Sequence, residues 1–236
     1  MMSRLKPRPG TGATMPRSIP ALALAFAFLA TIARAQQPYT GDVPPTTLEG
    51  EPEPATEEKW TFALPVYAYV VPDDGDYLQP TLIANKGDLH LEARYNYEDR
   101  NTASLWIGWN YKGGNEWAWR ITPMLGYAFG DSEGIAPGYR GAVDWKRFEF
   151  YSESEYLVGT DNDTDNFFYS WTELTWSPVD AFRVGLVTQH THAYNSDRDI
   201  QRGFLFGLSL KRVQVTATVL NPDQDSIVIV GASVGM

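Results

Sequence analysis

From Trp60 to the end of the chain, bulky apolar residues alternate with small or charged ones at a period of two. Turn-forming residues break the alternation roughly every 12 to 15 positions. The pattern predicts strands, and no window has the apolar spacing of an amphipathic helix, so the fold class is all-β. Twelve strands are expected, over residues 60–71, 77–84, 88–97, 102–111, 116–129, 136–145, 147–157, 167–176, 181–193, 200–210, 212–220 and 226–235. The count falls to 10 if the weak second or sixth segment is irregular. Several segments exceed the five or six residues usual for a strand.

In the fifth segment Trp117, Trp119, Ile121, Leu125, Tyr127 and Phe129 share one face, while Ala118, Arg120, Thr122, Met124, Gly126 and Ala128 share the other. The third sets Leu89, Leu91, Ala93, Tyr95 and Tyr97 against His90, Glu92, Arg94 and Asn96. The tenth sets Phe204, Phe206, Leu208 and Leu210 against Gln201, Gly203, Gly207 and Ser209. Alternation alone does not say which face is interior, because a soluble sandwich hides its bulky side chains and a membrane barrel displays them.

Three further features favour the membrane barrel. Nearly all segments reach the roughly 9 to 11 residues that a tilted strand needs to cross a bilayer. Aromatic residues gather at segment ends: Trp60, Phe62, Trp109, Trp117, Trp119, Trp145, Phe148 and Trp176 at one end, and Tyr95, Tyr97, Tyr127, Phe129, Tyr139, Tyr156 and Phe168 at the other. Two interfacial girdles are the expected arrangement. Connections at the first end are short and mostly basic, such as Lys146-Arg147 and Lys211-Arg212, whereas those at the other are longer and acidic, such as residues 72–76, 159–166 and 221–225. An even strand count with both termini at the short-turn end predicts a transmembrane antiparallel up-and-down β-barrel over residues 60–236, its turns in the periplasm and its loops outside.

Residues 60–236 thereby resemble a small, porin-like outer-membrane β-barrel protein of a Gram-negative bacterium. The likeness is one of pattern and carries no family motif; such barrels commonly finish on an aromatic residue, whereas this strand ends on Met236, in step with Val228, Val230, Ala232 and Val234. The resemblance implies residence in the cell outer membrane, contact with outer-membrane lipids and lipopolysaccharide, and insertion by the barrel assembly machinery.

Composition agrees with export. Residues 1–35 carry Arg4, Lys6, Arg8, Arg17 and Arg34 and no acid, around an apolar run at 21–30, and Ala33-Arg34-Ala35 supplies a small-x-small cleavage pattern. This reads as a signal peptide, its start at Met1 or Met15, with an apolar run too short to span a bilayer. Residues 36–59 are rich in Pro, Thr and Glu and read as a disordered linker. Removal of the five basic residues of the signal leaves 14 Lys+Arg against 29 Asp+Glu, a balance of −15, which gives nucleic-acid phosphates nothing to bind. The absence of Cys removes disulfides, thiolate nucleophiles and Cys-based metal sites.

Candidate chemistry lies on the inward face, where Glu92, Arg94, Arg120, Arg140, Asp144, Glu149, Glu153, Glu155, Glu173 and Arg183, with Gln189, are expected to line the lumen. Interleaved charges of both signs suit a narrow polar channel for small polar solutes. They suit equally an ion-pair network that stiffens a sealed structural or adhesion barrel. A third reading is a lipid-modifying hydrolase. Outer-membrane phospholipases and deacylases resemble one another in a His followed two residues later by a Ser; here His190 is followed by His192, Thr191 points to the opposite face and Ser196 lies too far on. No catalytic residue is therefore assigned. His190 and His192 alone do not make a metal site, and Asp161-Asn-Asp-Thr-Asp165 opens like a calcium loop but has Asn166 and Thr172 where Gly and Glu are needed. No metal and no cofactor is expected.

Overall fold

A computed structural model describes residues 58–72, 75–161, 164–193, 199–223 and 225–235. The expected signal peptide (1–35) and all but the last two residues of the expected linker (36–59) lie outside the described residues. Thirteen strands follow one another: β1 (Thr61–Val70), β2 (Tyr77–Lys86), β3 (Leu89–Tyr95), β4 (Ala103–Trp109), β5 (Tyr111–Gly113), β6 (Trp117–Phe129), β7 (Gly134–Trp145), β8 (Phe148–Gly159), β9 (Phe167–Val179), β10 (Phe182–Ala193), β11 (Asp199–Leu210), β12 (Val213–Leu220) and β13 (Ile227–Gly235). Every strand pairs antiparallel with its neighbour in sequence, apart from β4 and β5, which both pair with β6.

β5 prolongs β4. Gly108 pairs with Met124 and Tyr111 with Ile121 on β6, with no change of register across Asn110. The sheet thus has twelve staves, as the pattern predicts, and it closes where β1 pairs with both β2 and β13. Closure pairs every edge, which is what a backbone surrounded by hydrocarbon requires. The second and sixth segments are regular strands, so the ten-strand variant does not arise.

The bulky residues point outward. Leu105, Ile107 and Leu186 at mid-height are exposed by 59, 56 and 56%. A continuous apolar belt of this kind cannot face water without cost and fits a bilayer core. Aromatic pairs edge the belt, among them Trp117 stacked on Trp145 (5.0 Å) near the short turns and Tyr127 on Phe129 (6.3 Å) near the loops.

The two ends are built differently. At the short-turn end, Lys146 and Lys211 each take a left-handed φ of 55° in a two-residue reversal, and Lys146 Nζ lies 4.6 Å from the centre of the Trp145 ring. At the loop end, neighbouring connections are laced together. Arg100 Nη2 donates to Gly75 O (2.8 Å), Asn101 Nδ2 to Asp131 Oδ2 (2.9 Å), Ser132 Oγ to Asp99 Oδ2 (2.8 Å) and Glu133 N to Thr164 Oγ1 (2.9 Å).

The interior holds two apolar clusters. One joins Trp106, Met124, Ala128, Ala136 and Leu157, with Phe167 against it; the other joins Val187, Leu220 and Ile229, with Tyr67, Tyr69 and Trp171 against it. Trp106 lies flat on the wall because Gly126 has no side chain: a Cβ there would stand 2.4 Å from the indole.

Candidate functional site: the lumen

The inward face of β3 begins the site. His90, Glu92 and Arg94 are buried, while Leu89, Leu91 and Tyr95 alternate with them. Glu92 lies at the centre, its side chain fully shielded from solvent. Its Oε2 accepts from Arg94 Nε (2.6 Å), and its Oε1 lies 2.6 Å from His90 Nε2 and 2.9 Å from Arg140 Nη1. His90 Nδ1 in turn lies 2.7 Å from Asn85 Oδ1.

Arg94 carries the network across the barrel. Its Nη1 donates to Glu155 Oε2 on β8 (2.8 Å) and lies 3.6 Å from Glu98 Oε1. The guanidinium sits between the rings of Tyr97 and Trp106, 4.2 Å from each centroid, where cation–π attraction adds to the ion pairs. Trp106 Nε1 and Ser104 Oγ both donate to Glu98 Oε1, at 3.1 and 2.6 Å. These side chains are at most 7% exposed, so Glu92, Glu98, Arg94, Glu155 and His90 form a dry assembly inside the wall.

A second group lies nearer the short turns and meets solvent. Arg120 donates from Nη1 to Asp144 Oδ2 and from Nη2 to Glu149 Oε2, both at 2.7 Å, and Arg183 Nη1 stands 3.7 Å from Glu149 Oε1. The Arg120 and Asp144 side chains are 54 and 41% exposed. Arg140 and Glu153 connect the two groups: Arg140 Nε lies 3.2 Å from Glu153 Oε2 without the alignment of a hydrogen bond, and Glu153 accepts from the hydroxyls of Tyr97 and Tyr151. Glu173 stands apart, accepting from Trp171 Nε1 (2.8 Å) and forming no ion pair with an arginine among the described residues.

Of the ten charged residues expected in the lumen, Arg120, Arg140, Glu149, Glu153, Glu173 and Arg183 line one chamber, Asp144 pairs with Arg120, and Glu92, Arg94 and Glu155 lie in the dry assembly. Gln189 shares their face, in register with Trp171 and Gln201. The sequence pattern missed the inward aromatics Tyr67, Tyr69, Trp106, Tyr151, Tyr169 and Trp171. Tyr151 was open to detection, since it keeps step with Glu149 and Glu153.

Tyr97 corrects an expectation, because it belongs to the lumen and not to the outer girdle. Strand β3 stops at Tyr95, and Asn96 takes a left-handed φ of 56°, which resets the alternation and turns Tyr97 onto Arg94. Burial holds the Tyr97 phenol well above its ordinary pKa, so it remains a donor to Glu153.

His190 lies on the outer face, edge-on to Phe168 (5.4 Å), and no hydroxyl among the described residues hydrogen-bonds to it; its Nε2 is buried without a partner. Ser196, Asn162 and Asp163 lie outside the described residues. Among the described residues no group of His, Asp and Glu has the geometry to hold a metal ion.

One chamber of about 310 Å³ threads the lumen from Pro65, Arg120 and Glu149 near the short turns to Tyr69, Tyr97 and Tyr169 near the loops. Its other wall is made by β11 to β13, with Leu205, Gln214, Thr216, Thr218 and Ile229.

No protein-family profile and no curated protein sequence matches this chain. Solved structures do. The chain is similar to a KdgM porin (TM-score 0.53, 12% identity, covering 73% of this chain and 98% of that one) and to a KdgM porin in complex with disordered oligogalacturonate (0.55, 12%, 73% and 98%). It is also similar to a NanC porin (0.51, 11%, 72% and 98%). The likeness is one of fold: the chain has the architecture of the small outer-membrane porins.

Proposed function

We propose that this barrel is a narrow outer-membrane channel for small polar solutes, exported by its signal peptide and inserted with its short turns in the periplasm. The observation that carries the reading is a chamber inside the barrel whose lining runs from Arg120 and Glu149 near the short turns to Tyr69 and Tyr97 near the loops and is made of carboxylates, guanidiniums, hydroxyls and amides. A sealed structural barrel would need no such polar chamber. At about 310 Å³ the chamber suits small solutes. The porin architecture of the neighbouring structures supports the same reading.

Planar-bilayer recording of the refolded mature protein tests it. Discrete conductance steps are expected. A protein that is folded by heat-modifiable gel migration and silent in the bilayer overturns the reading.

A further inference from the structure

We infer that the chamber is a binding site for small organic cations, such as primary amines and quaternary ammonium ions; the inference rests on the channel reading for the route of entry and names the solute class. Its basis is an alternation of carboxylates and aromatic rings. On the inward surfaces of the paired strands β8 and β9, Tyr151 stands beside Glu173 and Glu153 beside Trp171, so that each of these chamber acids has an aromatic cross-strand neighbour, and Tyr169, beside the dry Glu155, adds a third ring. Strand β1 is six staves from β8 in the ring of twelve and so faces it across the lumen, and it adds Tyr67 and Tyr69 to the same chamber. With Tyr97, six aromatic rings line the space. An aromatic enclosure with negative charge beside it is the chemistry that holds a weakly hydrated cation, through ring quadrupoles and a nearby carboxylate.

The arginines do not reverse this charge, because each is engaged. Arg120 is held by Asp144 and Glu149, Arg140 by Glu92 and Glu153, and Arg183 by Glu149. Among the described residues, counting Arg94 with Glu98 and Glu155, four guanidiniums serve six carboxylates, and Glu173 is a seventh with no arginine partner. Along the chamber itself Arg120, Arg140 and Arg183 balance Glu149, Glu153 and Glu173, and the surplus carboxylates lie in the dry wall behind it, at Glu92, Glu98 and Glu155, and at Asp144 beside Arg120, so that the carboxylate open to a guest is Glu173. Glu173 uses Oε1 for the Trp171 indole, which leaves Oε2 for a guest. Tyr67 is kept against the wall by Gly231, where a Cβ would stand 2.6 Å from its ring, and this keeps the middle of the chamber free.

The test uses the refolded full barrel and tetramethylammonium as probe, with sodium at equal ionic strength as reference, read by titration calorimetry and by reversal potential in a salt gradient. Tetramethylammonium should bind more tightly than sodium, and the reversal potential should favour cations. Glu173→Gln and Trp171→Leu should each weaken tetramethylammonium binding about tenfold, the scale of one desolvated cation–π or charge contact. Glu133→Gln, a loop variant outside the chamber, should leave it unchanged. Equal binding of the two ions, or unaltered binding in Glu173→Gln, overturns the inference. A conducting barrel that favours chloride overturns it while leaving the channel reading intact. A silent barrel that still binds tetramethylammonium through Glu173 overturns the channel reading and upholds the site.

Discussion

Replacing Arg94 by Met should unfold the barrel far more readily than replacing Arg120 by Met, although both remove one lumenal guanidinium. Arg94 is 1% exposed and is shared by Glu92, Glu98 and Glu155. After its loss Glu92 retains Arg140 and His90, and Glu98 retains Ser104 and Trp106. Glu155 retains nothing among the described residues: Oε2 has only Arg94, and Oε1 is buried without a hydrogen bond. A carboxylate left alone in a dry wall costs about 3 to 5 kcal/mol when its partner is removed. Arg120, more than half exposed, can be removed with the water screening Asp144 and Glu149, at a cost of about 0 to 1 kcal/mol.

The assay is urea unfolding of the refolded barrel in lipid vesicles, followed by tryptophan fluorescence. The double variant Arg94→Met with Glu155→Leu should recover part of the loss, since an apolar pair of similar bulk can replace a buried ion pair without net cost. A loss below about 1 kcal/mol for Arg94→Met alone, or no recovery in the double variant, would refute the idea that this cluster is dry.

Three other outcomes are expected. Arg120→Glu should move the reversal potential further towards cations while the unfolding midpoint stays within about 1 kcal/mol of the parent, because the site is open to water. Gly231→Val should lower single-channel conductance and cost about 1 to 3 kcal/mol by driving Tyr67 into the chamber, and Tyr67→Ala in the same chain should restore conductance. An epitope inserted into the β8–β9 loop should be labelled on intact cells, and one inserted between Lys146 and Arg147 only after permeabilisation; the opposite result would invert the topology.

Much of this fold was legible because a strand surrounded by lipid on one side and a lumen on the other enforces the period of two over its whole length. The sixth segment, expected at 136–145, is Gly134–Trp145, and the ninth, expected at 181–193, is Phe182–Ala193. The alternation failed at Asn96, where a backbone conformation that asparagine tolerates well shifts the phase and sends Tyr97 inward. It was also incomplete on β1 and β9, where Tyr67, Tyr69, Tyr169 and Trp171 are as bulky as the outward residues beside them, so that size no longer marks the lipid face. Which charges are dry was not legible at all. Arg94 meets Glu155 across 61 residues of sequence, and the water content of that contact depends on Trp106 and Tyr97, brought there by other staves.

The position of the chamber follows from side-chain size around the ring. Strands β3, β4, β8 and β9 send large groups inward, among them Arg94, Trp106, Tyr151, Glu155 and Trp171, and these fill their side of the barrel. Opposite them, β11 to β13 offer, between Leu205, Gln214 and Ile229, the smaller Gly207, Thr216, Thr218, Gly231 and Ser233, which reach only a short way from the wall. A ring of twelve staves encloses more volume than the first group alone can occupy, and the second group leaves the remainder open as a chamber beside the packed half. Dry ion pairs and an open chamber therefore coexist in one lumen. Arg94 and Glu92 hold one wall together, and this fixes where Arg140, Glu153 and the tyrosines stand around the chamber.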